Sequence, residues 1–187
     1  MNITYDMRAE GSEQQKGLID LCNFITSIIP EKSTIIEIGS YCGGSTSIIA
    51  KIFKHSKIFS VDPWEMYIED CSVYDINKQK IELEQAEKIF DEVIKNYTNI
   101  VKNKTSSSEF VKNIEDNTID FIYIDGNHQY SSVKEDLENW YPKIKLGGII
   151  AGHDYGWPTV RRAIDEIFNN TPPNNIFIDG SWCFIKK

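Results

Sequence analysis

The chain has 187 residues, 41% of them hydrophobic and 12% aromatic, enough for one globular domain to bury a substantial core without outside help. Its 20 Lys and Arg stand against 28 Asp and Glu, a formal charge of -8, so the surface repels phosphate backbones and anionic membrane, which excludes long nucleic acid as an expected partner. Cys22, Cys42, Cys71 and Cys183 show no CxxC pair, the N-terminal residues carry no apolar run behind basic ones, and no stretch approaches the roughly 18 apolar residues of a membrane span. The expectation is four reduced thiols, no membrane span and a cytoplasmic location.

Along the chain, helical and strand periodicities alternate. Leu18, Leu21, Cys22, Ile25, Ile28 and Ile29 recur at helical spacing and stop at Pro30. Thr34 to Ile38 reads as a buried strand, Gly43 to about Phe53 as a helix, and Lys57 to Val61 as a second strand. Residues 62 to 77 are irregular and carry Trp64, Tyr67 and Tyr74; a connection of that length tends to be a lid or binding segment. A charged helix from about Lys78 to Tyr97, a strand from Asn99 to Lys102 and a short helix near Ser107 to Asn113 follow. Ile119 to Ile124 is almost wholly apolar, as a strand covered on both faces should be. A helix from about Ser131 to Trp140, a fifth strand from Gly148 to Ala151 after the turn signal LGG, and a helix from Pro158 to about Phe168 complete the alternation. Ile176 to Ile178 and Trp182 to Ile185 then flank Asp179 and Gly180, a tight hairpin signal.

Five strands joined through helices predict a parallel sheet, and the hairpin adds an antiparallel last strand. The expected fold is α/β, a Rossmann-like, doubly wound sheet of seven strands, mostly parallel with an antiparallel C-terminal hairpin strand. Residues 1–187 are read as one domain, with 1–32 a helical N-terminal extension. From about Ser33 to Lys187 this succession resembles the class I S-adenosylmethionine-dependent methyltransferase fold.

Ligands of doubly wound sheets sit at the carboxyl ends of the strands. After the first strand comes EIGSYCGGST, Glu37 to Thr46, where Tyr41 occupies the place of the second glycine of a dinucleotide motif. The segment resembles the first methyltransferase motif, an acid followed by spaced glycines. That resemblance implies a cofactor set of Glu37, Gly39, Ser40, Tyr41, Gly43 and Ser45, with the helix start at Gly43 facing the cofactor carboxylate. Asp62 follows the second strand, 23 positions beyond Gly39, near the separation of an acid that binds ribose hydroxyls; a turn or cap role before Pro63 is the alternative. Trp64 either covers adenine or packs in the core. Thr105 and Ser106 lie where methyltransferases contact adenine, or form a helix cap in the S-x-x-E sense with Glu109.

The fourth and fifth strands lead into DGNHQY and GHDYG, so two of the chain's three histidines fall in adjacent loops. Asp125, His128, His153 and Asp154 are competent ligands or proton acceptors; His55, in KIFKHSK, reads as a surface residue. With Arg162 and Ala163 trailing, these loops resemble metal-dependent O-methyltransferases that act on sugars of macrolide antibiotics, and more broadly the methyltransferase 24 or cephalosporin hydroxylase-like family. In the sugar enzymes one acid after strand four and two adjacent acids after strand five hold magnesium. Asp125 and Asp154 match two of these positions and His153 stands at the third, a mixed set suited also to manganese, iron or zinc.

The resemblance therefore implies S-adenosylmethionine as cofactor, a divalent metal, Mg or Mn, on Asp125, His153 and Asp154, and catalysis by Asp125, which also nears the cofactor, with His128 or His153 as base. The implied acceptor is the hydroxyl of a sugar, glycan or other small molecule, lined by Trp64, Tyr67, Tyr74 and Trp157. A homo-oligomer through the apolar N-terminal helix fits the same reading. The alternatives are a non-haem iron oxygenase using His128, His153 and a carboxylate as a facial triad, and a non-catalytic cofactor-binding domain.

Overall fold

The computed structural model describes residues 10–65 and 76–187; Tyr67, Cys71 and Tyr74 lie outside the described residues. Helix α1, Glu13–Thr26, opens with Ser12, whose hydroxyl accepts from Gln15 N–H. Strand β1, Thr34–Ile38, leads into α2, Gly44–Ile52, and β2, Lys57–Val61, is followed by α3, Ile76–Ile94. Strand β3, Ile100–Asn103, precedes the short α4, Ser107–Phe110; β4, Ile119–Ile124, precedes α5, Tyr130–Trp140; and β5, Ile144–Gly152, precedes α6, Pro158–Ile167. Strands β6, Asn175–Ile176, and β7, Trp182–Ile185, close the chain.

Among the described residues the sheet has seven strands in the order β3-β2-β1-β4-β5-β7-β6. The first five are mutually parallel, and β7 runs antiparallel to both β5 and β6, so the expected architecture holds. The order in which strands are added reverses between β1 and β4, which makes the carboxyl ends of these two parallel neighbours the switch point.

The two-residue period of the strands divides the core. Ile36 and Ile38 of β1 and Ile122 and Ile124 of β4 face a cluster with Val133, Leu137, Trp140, Val160 and Ile164 from α5 and α6. Ile35, Phe121 and Tyr123 face the other side, against Leu18, Leu21 and Ile25 of α1 and Ile48 and Ile49 of α2. Every residue of β4 is buried, as its continuous apolar run requires. No helix among the described residues is long and apolar enough to cross a membrane, and Cys22, Cys42 and Cys183 are in no disulfide.

Two expected boundaries shift. The LGG segment lies inside β5, which starts four residues early because Ile144 already pairs with Ile119 before a register shift carries Phe121 to Ile149. The hairpin is wider than a tight two-residue turn. Its pairing stops at Ile176 and Trp182, and the turn is closed by Gly180 N–H donating to Phe177 O, with Gly180 at φ 85°.

Candidate active site

The turn after β1 is organised around two carboxylates, Glu37 buried and Asp62 partly buried. Glu37 has no exposed surface. Its oxygens accept from the hydroxyls of Ser45 at 2.6 Å, Thr46 at 2.5 Å, Ser40 at 2.9 Å and Ser60 at 3.1 Å. Burial pushes its pKa up, against the pull of these hydroxyls. The parity that sends Ile36 and Ile38 to one face sends Glu37 to the other, onto the first turn of α2. Glu37, Ser40 and Ser45, expected in the cofactor set, bond one another and shape the turn.

Asp62 acts from the end of β2. Its Oδ2 accepts from the backbone N–H groups of Ser40 and Tyr41, each at 2.9 Å, and Oδ1 accepts from Trp64 N–H at 2.7 Å. A carboxylate offers about four acceptor positions, so about one remains for a ligand hydroxyl. Burial raises its pKa despite the three backbone donors. Trp64 is 5% exposed, donates Nε1–H to Tyr41 O at 2.8 Å, stacks at 5.0 Å on Phe90 and lies under Lys102. Of its two expected roles the core one is what the packing supports. Ser106 caps α4 by accepting from Glu109 N–H at 3.3 Å, and Thr105 N–H bonds Asn103 O, so this segment follows the cap alternative. Gly43 precedes α2 at φ 83° with no side-chain cap hydrogen bond.

Gly39 joins this turn to the next loop. Its φ is 85°, and a Cβ on it would lie 2.1 Å from the carbonyl oxygen of Asp125. Asp125 N–H donates to Ile38 O at 2.8 Å, so the end of β1 and the loop after β4 lie backbone against backbone.

Beyond this contact the two predicted loops converge. Asp125, His128 and Asp154 each present one ligand atom, all within 4.8 Å of one another. His128 Nε2 is 2.8 Å from Asp154 Oδ2 and 3.9 Å from Asp125 Oδ1. The two carboxylates raise the His128 pKa to about 10, Asp125 having the larger effect, while burial opposes them. Burial pushes Asp154 up, but hydrogen bonds from His128 and His153 outweigh it and hold the carboxyl well below the usual range. His153, 4% exposed, places Nδ1 3.1 Å from Asp154 Oδ1. Of the expected residues, the fold brings Asp125 and Asp154 together with His128, while His153, buried just beyond the end of β5, lies behind Asp154. His55 is about half exposed, as expected.

Six non-glycine residues among those described have positive φ, and three are asparagines, which tolerate it. The other three are Tyr41, Trp64 and Asp154, all at strand ends facing this site. Strain collected there marks a functional region. Trp157, 53% exposed, packs tilted against His128 with ring centroids 4.9 Å apart and forms an aromatic rim.

Sequence reasoning missed Asp179, whose side chain is fully buried 3.7 Å from His153. Topology held the signal: a strand antiparallel to β5 must begin at the edge where β5 ends, so the turn before it lies at the site.

The chain spans 13% of the uncharacterized protein y4gI of Sinorhizobium fredii, 27% identical over 128 residues or 64% of this chain. It spans 63% of the uncharacterized protein R132 of Acanthamoeba polyphaga mimivirus, 28% identical over 150 residues or 78% of this chain. Each figure is less than two thirds of the relative. Among solved structures, the calicheamicin methyltransferase CalS11 aligns with a TM-score of 0.63 at 16% identity, covering 92% of this chain and 79% of that one. A putative caffeoyl-CoA O-methyltransferase from Staphylococcus aureus aligns at 0.58 and 17% identity, covering 89% and 80%. At such identities the likeness is one of fold. The sequence over residues 36–155, from β1 through both loops of the cluster, matches the methyltransferase 24 family, described as a methyltransferase domain. The chain belongs to that family.

Proposed function

We propose that the chain is an S-adenosylmethionine-dependent O-methyltransferase acting on a hydroxyl of a sugar, glycan or other small molecule, assisted by a divalent cation on Asp125, His128 and Asp154. The observation that carries this reading is the close approach of Gly39 to Asp125, which makes the glycine turn and the carboxylate and histidine cluster two walls of one site. Family membership favours methyl transfer over the oxygenase alternative.

Two carboxylate oxygens and an imidazole nitrogen fit manganese better than magnesium, which prefers oxygen alone. Bound S-adenosylmethionine supplies an electrophilic methyl group, and a bound cation supplies positive charge that lowers the pKa of an adjacent hydroxyl. The rest falls to the chain. Asp62 holds the Ser40 and Tyr41 backbone in the shape of the cofactor wall, and the uncapped start of α2 receives the cofactor carboxylate. Asp125, at the switch point, aligns the acceptor with the methyl group. The adjoining carboxylates favour the protonated form of His128, which counts against base catalysis at neutral pH; its place in the cluster assigns it to ligation, for which it must give up that proton. Trp157 offers a flat apolar face to an acceptor ring, and the fold likeness to CalS11, described as a TDP-rhamnose 3'-O-methyltransferase, supports a sugar.

Calorimetry with S-adenosylhomocysteine and with Mn2+ tests the division of roles. Asp62→Ala should weaken S-adenosylhomocysteine binding, whereas Asp125→Asn should keep it and lose Mn2+ binding. Equal loss of S-adenosylhomocysteine in both variants overturns the assignment, and no binding to the unaltered protein overturns the function.

A further inference from the structure

Asp179 lies in the loop before β7, at the edge of the sheet where the loops after β4 and β5 collect. Its side chain has no exposed surface. Ser181 donates to both oxygens, N–H to Oδ1 at 2.9 Å and hydroxyl to Oδ2 at 2.8 Å. Oδ2 also stands 3.7 Å from His153 Nε2, while the opposite ring nitrogen, Nδ1, is 3.1 Å from Asp154 Oδ1 and 3.9 Å from Asp125 Oδ1. Helix α1 closes the far side: a Cβ on Gly17 would lie 2.2 Å from Asp179 Cγ, so the helix packs flush on the carboxylate only with glycine there.

A carboxylate removed from water is costly unless polar partners meet it. The hairpin does not require that cost, because Gly180 and the pairing of Phe177 with Ser181 already close the turn. What the buried position does provide is a second carboxylate on the histidine that supports Asp154.

We propose that Asp179 is a positioning residue, and the proposal rests on the reading of the cluster as a cation site. From the hairpin it holds the His153 ring by the Nε2 edge, so that Nδ1 stays against Asp154 and Asp125 and the two carboxylates keep their mutual geometry. Loss of a group that orients a metal ligand directly costs roughly 10–100-fold in metal affinity; Asp179 acts through His153 on Asp154, one contact further out, so its loss should cost less. Tyr123 extends the chain of contacts, its hydroxyl 3.5 Å from Ser181 Oγ, which ties β4 to the same support.

The test is Asp179→Asn, read three ways. Asparagine keeps the size, but its single oxygen remains with Ser181 N–H and an amide N–H turns toward His153. S-adenosylhomocysteine affinity by calorimetry should stay within about twofold, and Mn2+ affinity, followed by electron paramagnetic resonance of the free ion, should fall by up to about tenfold. In the metal-free protein the 15N resonances of the His153 ring should shift as the negative charge 3.7 Å from Nε2 is removed. Ser181→Ala removes one donor to Asp179 and should move the same resonances less far; it carries the test if Asp179→Asn does not fold. Unchanged His153 resonances overturn the proposal, as does an equal loss of S-adenosylhomocysteine affinity, which would make the hairpin a general support of the site. If the unaltered protein binds no Mn2+, the cation reading fails separately, and the metal-free resonances still decide the role of Asp179.

Discussion

Gly39→Ala tests whether the glycine turn and the cluster are one rigid site. The added Cβ would sit 2.1 Å from Asp125 O, 2.6 Å from Asp125 C and 2.8 Å from Gly126 Cα. Optimal contacts lie near 3.5 Å, so one backbone must retreat by roughly 1 Å or more. Retreat is resisted on both sides, by Gly39 N–H bonded to Val61 O at 3.0 Å and Asp125 N–H bonded to Ile38 O at 2.8 Å. A side chain at positive φ costs about 1–2 kcal/mol and overpacking about 1–3 kcal/mol, together roughly 2–5 kcal/mol. For a chain of this size that lowers the melting temperature by roughly 4–20 °C. Gly147→Ala is the matched control, since Gly147 has φ 77° but nothing within 4 Å of its Cβ, and should cost only about 1–2 kcal/mol. Urea denaturation and calorimetry with S-adenosylhomocysteine read both variants. Equal destabilisation of the two, with ligand affinity intact in Gly39→Ala, would refute the close-contact reasoning.

Trp64→Ala should cost about 3–5 kcal/mol in urea denaturation, as for a buried aromatic; a cost below about 1 kcal/mol with loss of S-adenosylhomocysteine affinity would restore its role as adenine cover. Trp157→Ala should leave stability within about 0.5 kcal/mol, since the ring is largely exposed, and raise KM for the acceptor more than it lowers kcat; an unchanged KM counts against the aromatic rim. Burial raises the pKa of Asp136 to about 6 against the hydrogen bond from Ser107. The folded state then holds a proton that the unfolded chain has released, so stability falls as pH rises from about 4 to 6, by up to about 3 kcal/mol from this group. Asp136→Asn should flatten that part of the stability profile, and an unchanged slope rejects the assignment. His128 shifts in the same direction, the adjoining carboxylates favouring its protonated form in the fold up to about pH 10, so Mn2+ binding should release a proton and strengthen as pH rises; calorimetry in two buffers of different ionisation enthalpy counts the proton.

The alternation of periodicities from Thr34 to Ile185 was enough to read the sheet, because parallel strands buried on both faces leave continuous apolar runs and each helix leaves a repeating stripe. The loops after β4 and β5 were legible for a related reason: in such a sheet every strand end faces one edge, so Asp125, His128 and Asp154 must meet. Sequence could not say which way a side chain turns once there. Glu37 is drawn to four hydroxyls by its parity on β1, Trp64 folds back onto Phe90, and His128 takes the cluster position expected of His153. Those choices depend on contacts between residues distant in the chain. Asp179 is the extreme case: its neighbours Gly17 and His153 come from the first helix and the fifth strand, and only packing of those elements makes a turn residue part of the site.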